Sequence, residues 1–184
     1  MTTATALTPT TGTWVLDPAH TRLGFEARHA MVSKVRGSFG IFEGTLVLDG
    51  ENPANSQATV VVDAASISTG SADRDAHLRS ADFLNVEEFP TLTFTSTAVR
   101  HEGDAFVMVG VLTIRGTARP VEIRADLEGV VADPWGNTKI GFEGLASISR
   151  KDFGLTWNVA LEAGGVLVSD TVKIVLDVQA ARQA

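Results

Sequence analysis

The sequence predicts an all-β protein, an antiparallel barrel of about eight strands with one short helical crossover. Three observations carry that expectation. Apolar and polar residues alternate with a period close to two over most of the chain. The alternating segments are joined by short, turn-like stretches. One stretch alone, RDAHLRSADFL, reads as a helix. Eight antiparallel strands fold as a sandwich or close into a barrel, and closure leaves room for side chains or one small ligand. Alternating segments of roughly ten residues, long for strands, favour the barrel.

Each element has its own signal. Residues 1–12 are Thr-rich and low in complexity, which predicts a disordered tail before a single domain over 13–184. In TRLGFEARH, Leu23, Phe25 and Ala27 share a face opposite Arg22, Glu26 and Arg28. From Val35 the alternation runs through Gly37 and Phe39, then changes phase to Phe42, Leu46 and Leu48, which predicts a β-bulge at Gly40. GENPANS is a loop and SQATVVVDA a short apolar strand. The crossover follows: Asp73 or Asp75 is expected to cap it, and Pro90 to start the next strand. Its Leu78, Phe83, Leu84 and Phe89 are expected to pack inward under the barrel edge. TLTFTSTAV sets Leu92, Phe94 and Ala98 against a row of threonines. Phe106, Met108, Leu112 and Ile114 face one way in AFVMVGVLTI, and Val121, Ile123, Ala125 and Leu127 alternate with charged residues. DPWGN is a turn. KIGFEGLASIS, with Ile140, Phe142 and Ile148, and TVKIVLDVQA close the chain.

Composition bounds the function. Hydrophobic residues make up 44% of the 184 and charged residues 20%; Phe occurs 9 times and Tyr not at all. Aromatics without polar tips suit an apolar lining, and equally a dry core. Small residues on the apolar faces (Ala27, Gly110, Ala125, Gly144, Ala146) either leave space inside the barrel or let strands coil around a filled one. The net charge is −7, with 15 scattered Lys and Arg. That speaks against nucleic acid and against an anionic membrane surface as partners. No apolar run approaches the roughly 18 residues of a transmembrane helix, so no stable membrane insertion is expected. There are no cysteines, which removes disulfides and thiolate chemistry. The N-terminus has no basic start or apolar core of a signal peptide, so a cytoplasmic protein is expected.

Catalytic patterns are weak. His20, His29, His77 and His101 have no shared-face metal spacing, and HExxH, GxSxG and GxGxxG are absent. No metal, cofactor or catalytic residue is assigned. An enzyme acting on a hydrophobic substrate would have to use His29 or the Asp17/His20 pair. Asp17 reads better as the cap of a turn at Pro18, and His20 as satisfying a backbone group. His29 continues the inward parity of Leu23 and Phe25, which points it at the pore or its mouth. The candidate apolar lining is Leu23, Phe25, Phe39, Phe94, Phe106, Met108, Leu112, Phe142 and Trp157. In RKDFG, Arg150 and Asp152 are placed either to clamp the crossover through Arg74 or Asp75, or, for Arg150 or Lys151, to receive an anionic headgroup.

Five segments in order, TWVLDPAHTRLGFEARH, VRGSFGIFEG, RDAHLRSADFLNVEEFPTLTF, GVLTIRGTARPV and SRKDFG, resemble the YceI-like family of polyisoprenoid-binding, lipocalin-like proteins. The resemblance covers nearly all of residues 13–178. It implies an extended lipocalin-like barrel whose long hydrophobic pore takes up an isoprenoid or similar lipid without catalysis, and it makes a homodimer reasonable. A filled structural or partner-binding barrel is the alternative. Many relatives are exported to the periplasm, and the missing export signal is a departure from them.

Overall fold

The computed structural model describes residues 10–184. Its strands are β1 (Gly12–Leu16), β2 (Arg22–His29), β3 (Ser33–Phe39), β4 (Phe42–Leu48), β5 (Gln57–Asp63), β6 (Ile67–Ser68), β7 (Thr91–Glu102), β8 (Ala105–Ile114), β9 (Thr117–Ala132), β10 (Thr138–Ser149) and β11 (Thr171–Arg182); the helix is α1 (Ala72–Arg79). They form one sheet in the order β1-β4-β5-β7-β8-β9-β10-β11-β2-β3-β6. It closes because β11 also pairs with β1. β1 and β2 follow one another along the same edge of β11, through Ala180–Arg182 and Lys173–Asp177 respectively. β4 and β3 continue that arrangement in the next position, and β5 and β6 in the one after. Eight positions therefore encircle the axis, all paired antiparallel.

The breaks inside positions are repaired by side chains. Between β1 and β2, Thr21 Oγ1 both donates to Gln179 O (2.9 Å) and accepts from Gln179 N (3.1 Å). Between β3 and β4 the change of phase expected as a bulge at Gly40 is instead a two-residue interruption. Gly40 N donates to Ser66 O and Ile41 N to Ser66 Oγ, so Ser66 stands in for the missing ladder partner. True bulges lie elsewhere. One in β7, between Ser96 and Ala98, turns the parity over, so Ala98 is exposed and Val99 faces in, contrary to the alternation expected. A second offsets β9 and β10 at Gly141/Phe142.

The N-terminal expectation of a tail over 1–12 lies, for residues 1–9, outside the described residues. Thr10 is buried, its carbonyl accepts from Trp14 Nε1 at 2.8 Å, and Gly12 opens β1 opposite Leu48. Trp14 is fully buried, with the Arg182 guanidinium 4.7 Å from its ring centre.

Helix α1 is capped by Ser71, whose Oγ accepts from Arg74 N, rather than by Asp73 or Asp75. Asp75 is buried and holds the chain entering the helix, accepting from Thr69 N (2.8 Å) and Thr69 Oγ1 (2.6 Å). After the helix, Phe83 and Leu84 are buried as expected, and Arg115 Nη1 donates to Phe83 O at 2.8 Å. Phe89 covers Gly116 in the β8–β9 turn, where φ is +70° and a Cβ would lie 2.6 Å from the ring.

Two glycines make room for aromatic rings along the wall. A Cβ at Gly110 would meet Phe94 at 2.4 Å, and one at Gly37 would meet Phe25 at 2.5 Å. Gly110→Ala must therefore displace Phe94, and we expect a loss of about 1–3 kcal/mol in urea unfolding. Gly129→Ala, where no atom lies within 4 Å, is expected to be near neutral in the same measurement.

Candidate functional site

The barrel interior is hollow. Two cavities lie along the axis, one of about 250 Å³ towards α1 and one of about 140 Å³ towards the β4–β5 loop. They share Leu23, Val60, Phe94, Ile123 and Leu176, which form a waist between two chambers of one pore. The lining is almost wholly aliphatic and aromatic because each strand turns one face of its alternation inward.

Most of the lining read from the sequence is in place. Phe106, Met108 and Phe142 line the smaller chamber; Phe25, Phe39 and Leu112 belong to the larger; Leu23 and Phe94 serve both. Phe25 and Phe39 pack with ring centres 5.9 Å apart, although Phe39 comes from the neighbouring strand. Leu78, Phe83 and Leu84 close the larger chamber from the crossover, as expected, whereas Phe89 lies outside it.

Three candidates stand elsewhere. Trp157 is half-buried but lines neither chamber; it packs edge-on against His77 (4.6 Å between centres) and against Phe83 (5.4 Å), roofing that end from outside. His29 is exposed at the end of β2, where it bridges to Val168. Asp152 is exposed. The Asp17/His20 pair forms, Oδ2 to Nδ1 at 2.8 Å, but His20 is 64% exposed on the turn after β1 and neither residue touches a chamber. Asp17 does cap that turn, accepting from Ala19 N, and His20 finds the carboxylate rather than a backbone group. The His20 hydrogen bond, with help from Ala19 N and Lys139, holds the Asp17 carboxyl below its ordinary range.

Comparison with known proteins bears on this pore. The YceI-like domain model matches residues 14–180. Protein YceI of Salmonella newport (strain SL254) is 38% identical over 164 residues, which is 89% of this chain and 83% of that protein. The chain belongs to the YceI-like domain family. Among solved structures, Burkholderia cenocepacia BcnA superposes with a TM-score of 0.77 at 23% identity, covering 89% of this chain and 98% of BcnA. A polyisoprenoid binding domain from Saccharophagus degradans, implicated in plant cell wall breakdown, gives 0.70 at 15% identity, covering 92% and 98%. These two likenesses are of fold, and the closed lipocalin-like barrel is common to all three.

Arg150 is the polar residue of most consequence in this YceI-like barrel. It is 4% exposed and borders the larger chamber. Its guanidinium donates to four carbonyls: Nε to Ser169 O (2.8 Å), Nη1 to Leu155 O (2.7 Å) and Trp157 O (2.9 Å), and Nη2 to Val168 O (3.3 Å). The clamp expected towards Arg74 or Asp75 is absent among the described residues; Arg150 instead ties both ends of the 155–169 loop to the end of β10. Arg74 is engaged with Thr69. Burial lowers the Arg150 pKa, opposed by the Asp170 charge. Asp170 completes the junction: it accepts from Ser149 Oγ and from Lys151 N, and these bonds, the first above all, lower its pKa. Sequence pattern misses this arrangement because the acceptors are backbone carbonyls, which every residue carries.

Two outcomes follow for this junction. Arg150→Lys keeps the charge but loses the planar fork, and we expect a loss of about 3–5 kcal/mol with the largest rise in amide exchange over 155–169. Asp170, with its lowered pKa, contributes stability that is present at neutral pH and lost as pH falls from the ordinary aspartate range through that lowered value. Asp170→Asn should therefore flatten the acid limb of a stability–pH curve, measured by urea titration at each pH.

Proposed function

We propose that this barrel binds and sequesters or carries a long apolar lipid, a polyisoprenoid, in its pore and catalyses no reaction. The observation that carries this reading is the carbon-lined interior, two chambers meeting at one waist. Its family membership and the polyisoprenoid binding domain that shares its fold support the choice of cargo. Each buried methylene contributes roughly 0.8 kcal/mol, so a long chain binds through lining alone if the pore is preformed. Leu23, Phe25, Phe39, Phe94, Phe106, Met108, Leu112 and Phe142 are the proposed contacts. Arg150, with its donors committed to carbonyls, organises the pore's end rather than receiving a headgroup.

The wall around the pore is tall. The 12 residues of β10, at about 3.4 Å each and a tilt near 40°, span roughly 30 Å of axis, about the hydrocarbon thickness of a bilayer. A short prenyl chain then fits within the larger chamber, and a longer one must thread the waist. Gly144 controls that passage: a Cβ there would stand 3.2–3.3 Å from Leu176 and Ile123.

Native mass spectrometry of gently purified protein, before and after organic extraction, tests the proposal. A removable mass identified as a prenyl lipid is expected; bare protein that takes up neither farnesol nor solanesol would defeat it. Gly144→Leu should weaken solanesol binding about tenfold or more while farnesol binding persists. Phe142→Ala separates a pore from a filled barrel. It should weaken prenyl binding while costing about 1–2 kcal/mol of stability, below the 3–5 of a packed core phenylalanine.

A further inference from the structure

We propose that the tip of the β2–β3 hairpin, with the adjoining 159–166 loop, docks this barrel on a bilayer surface that carries anionic lipid. This goes beyond the pore reading and does not depend on the cargo.

The turn joining β2 to β3 carries apolar residues where solvated turns carry polar ones. Val32 is 81% exposed and Met31 60%. Ala30 and Met31 hold left-handed backbone, φ 49° and 65°, so the turn is tight and projects its side chains in a fixed direction. It is anchored, since Ala30 N donates to Leu167 O at 2.7 Å. The Met31 sulfur lies against Gly165, in the space a Cβ there would take. Exposed Val159 and Val166 flank that contact through the Ala160–Val166 bridge and the bond from Leu167 N to Val159 O. Four exposed apolar side chains thus gather on two connected loops.

The charge around them points to an anionic partner. On the outer face of the hairpin Arg28 stands directly opposite Lys34, a like-charge pair that a sheet disfavours. Arg36 and Lys173 both stand opposite Glu26, the acid of this face, which takes hydrogen bonds or charge from Arg36 (2.8 Å) and Lys34 (3.8 Å). On the paired outer positions Arg28, Lys34, Arg36 and Lys173 thus outnumber Glu26, in a chain whose net charge is −7. An apolar tip in a basic collar is the pattern that inserts at the headgroup boundary of an anionic membrane. The site is also at the pore's end: Ala27 and Val168, the latter bridged to His29, line the larger chamber.

Flotation of the full chain with vesicles tests this, using phosphatidylcholine alone and phosphatidylcholine mixed with phosphatidylglycerol. The protein is expected to float with the phosphatidylglycerol vesicles and to be released by high salt. Val32→Asp and Lys34→Glu should each reduce the bound fraction tenfold or more, while thermal midpoint and farnesol uptake stay unchanged because both side chains are exposed. Failure of the wild type to float, or flotation untouched by Val32→Asp, overturns the proposal. So does a concentration-dependent dimer that Val32→Asp abolishes without any vesicle binding, which would make a second copy the occupant. Flotation without prenyl uptake would leave this proposal standing and remove the pore reading; uptake without flotation would do the reverse.

Discussion

Closure of the ring at β11 is the constraint on which the other features depend. That strand hydrogen-bonds β10 along one edge and, along the other, β2 and then β1. Without the short β1 contact at Ala180–Arg182, β1 and the C-terminal end of β11 would be free edges, open to association with other chains. With it, the edge left in the wall is that of β3 and the two-residue β6, which pairs with β3 alone. The shape of the molecule then rests on ladder bonds around the circumference as well as on the apolar cluster inside. Trp14, Ile140, Ala180 and Phe153 are among the most completely buried apolar residues, within a cluster that also takes in Val62, Leu92, Val121 and Ala146 of the wall. Elsewhere the inward faces can remain apart, and a hollow interior is compatible with an ordered barrel.

Much of this was legible in the sequence because a barrel wall writes its period into the chain. Leu23, Phe25, Phe106, Met108, Leu112 and Phe142 follow from alternation alone and do line the pore. The failures share a physical cause. Alternation places Ala98 inward, and one bulged residue in β7 reverses its parity. Trp157 is expected on the inward face of a strand, but it lies in an irregular segment where no period fixes direction. His29 kept its parity yet sits at the strand's last residue, where the ladder ends and solvent begins. Whether the barrel is filled or hollow could not be read from the pattern, since both give the same alternation and differ only in how strands curve.

A net charge of −7 describes the chain, whereas a partner meets a surface patch with a range near 8–10 Å in physiological salt. Arg28, Lys34 and Arg36 are interleaved with apolar residues within one short stretch, and the hairpin sets them on one outer face. Arg150 is the converse case. It reads in sequence as part of a charged RKD cluster, and folding buries it against carbonyls, where its function is geometric.

The two kinds of bonding in this barrel differ in how they yield. Wall strands are held by long cooperative ladders, such as the eleven-residue register of β10 on β11. The end near α1 is held by separate side-chain contacts to backbone: four from Arg150, two from Arg79 to Ala65 O and Ile67 O, one from Arg115 to Phe83 O, and those of Asn158 to Val168. Such contacts break one at a time, and a region built from them opens at lower free energy than a sheet interior. Opening the wall instead would expose ladder groups on two strands at once. For a barrel that exchanges an apolar cargo, the path of least cost then runs through this end, where the larger chamber, the Arg150 junction and the apolar hairpin tip adjoin.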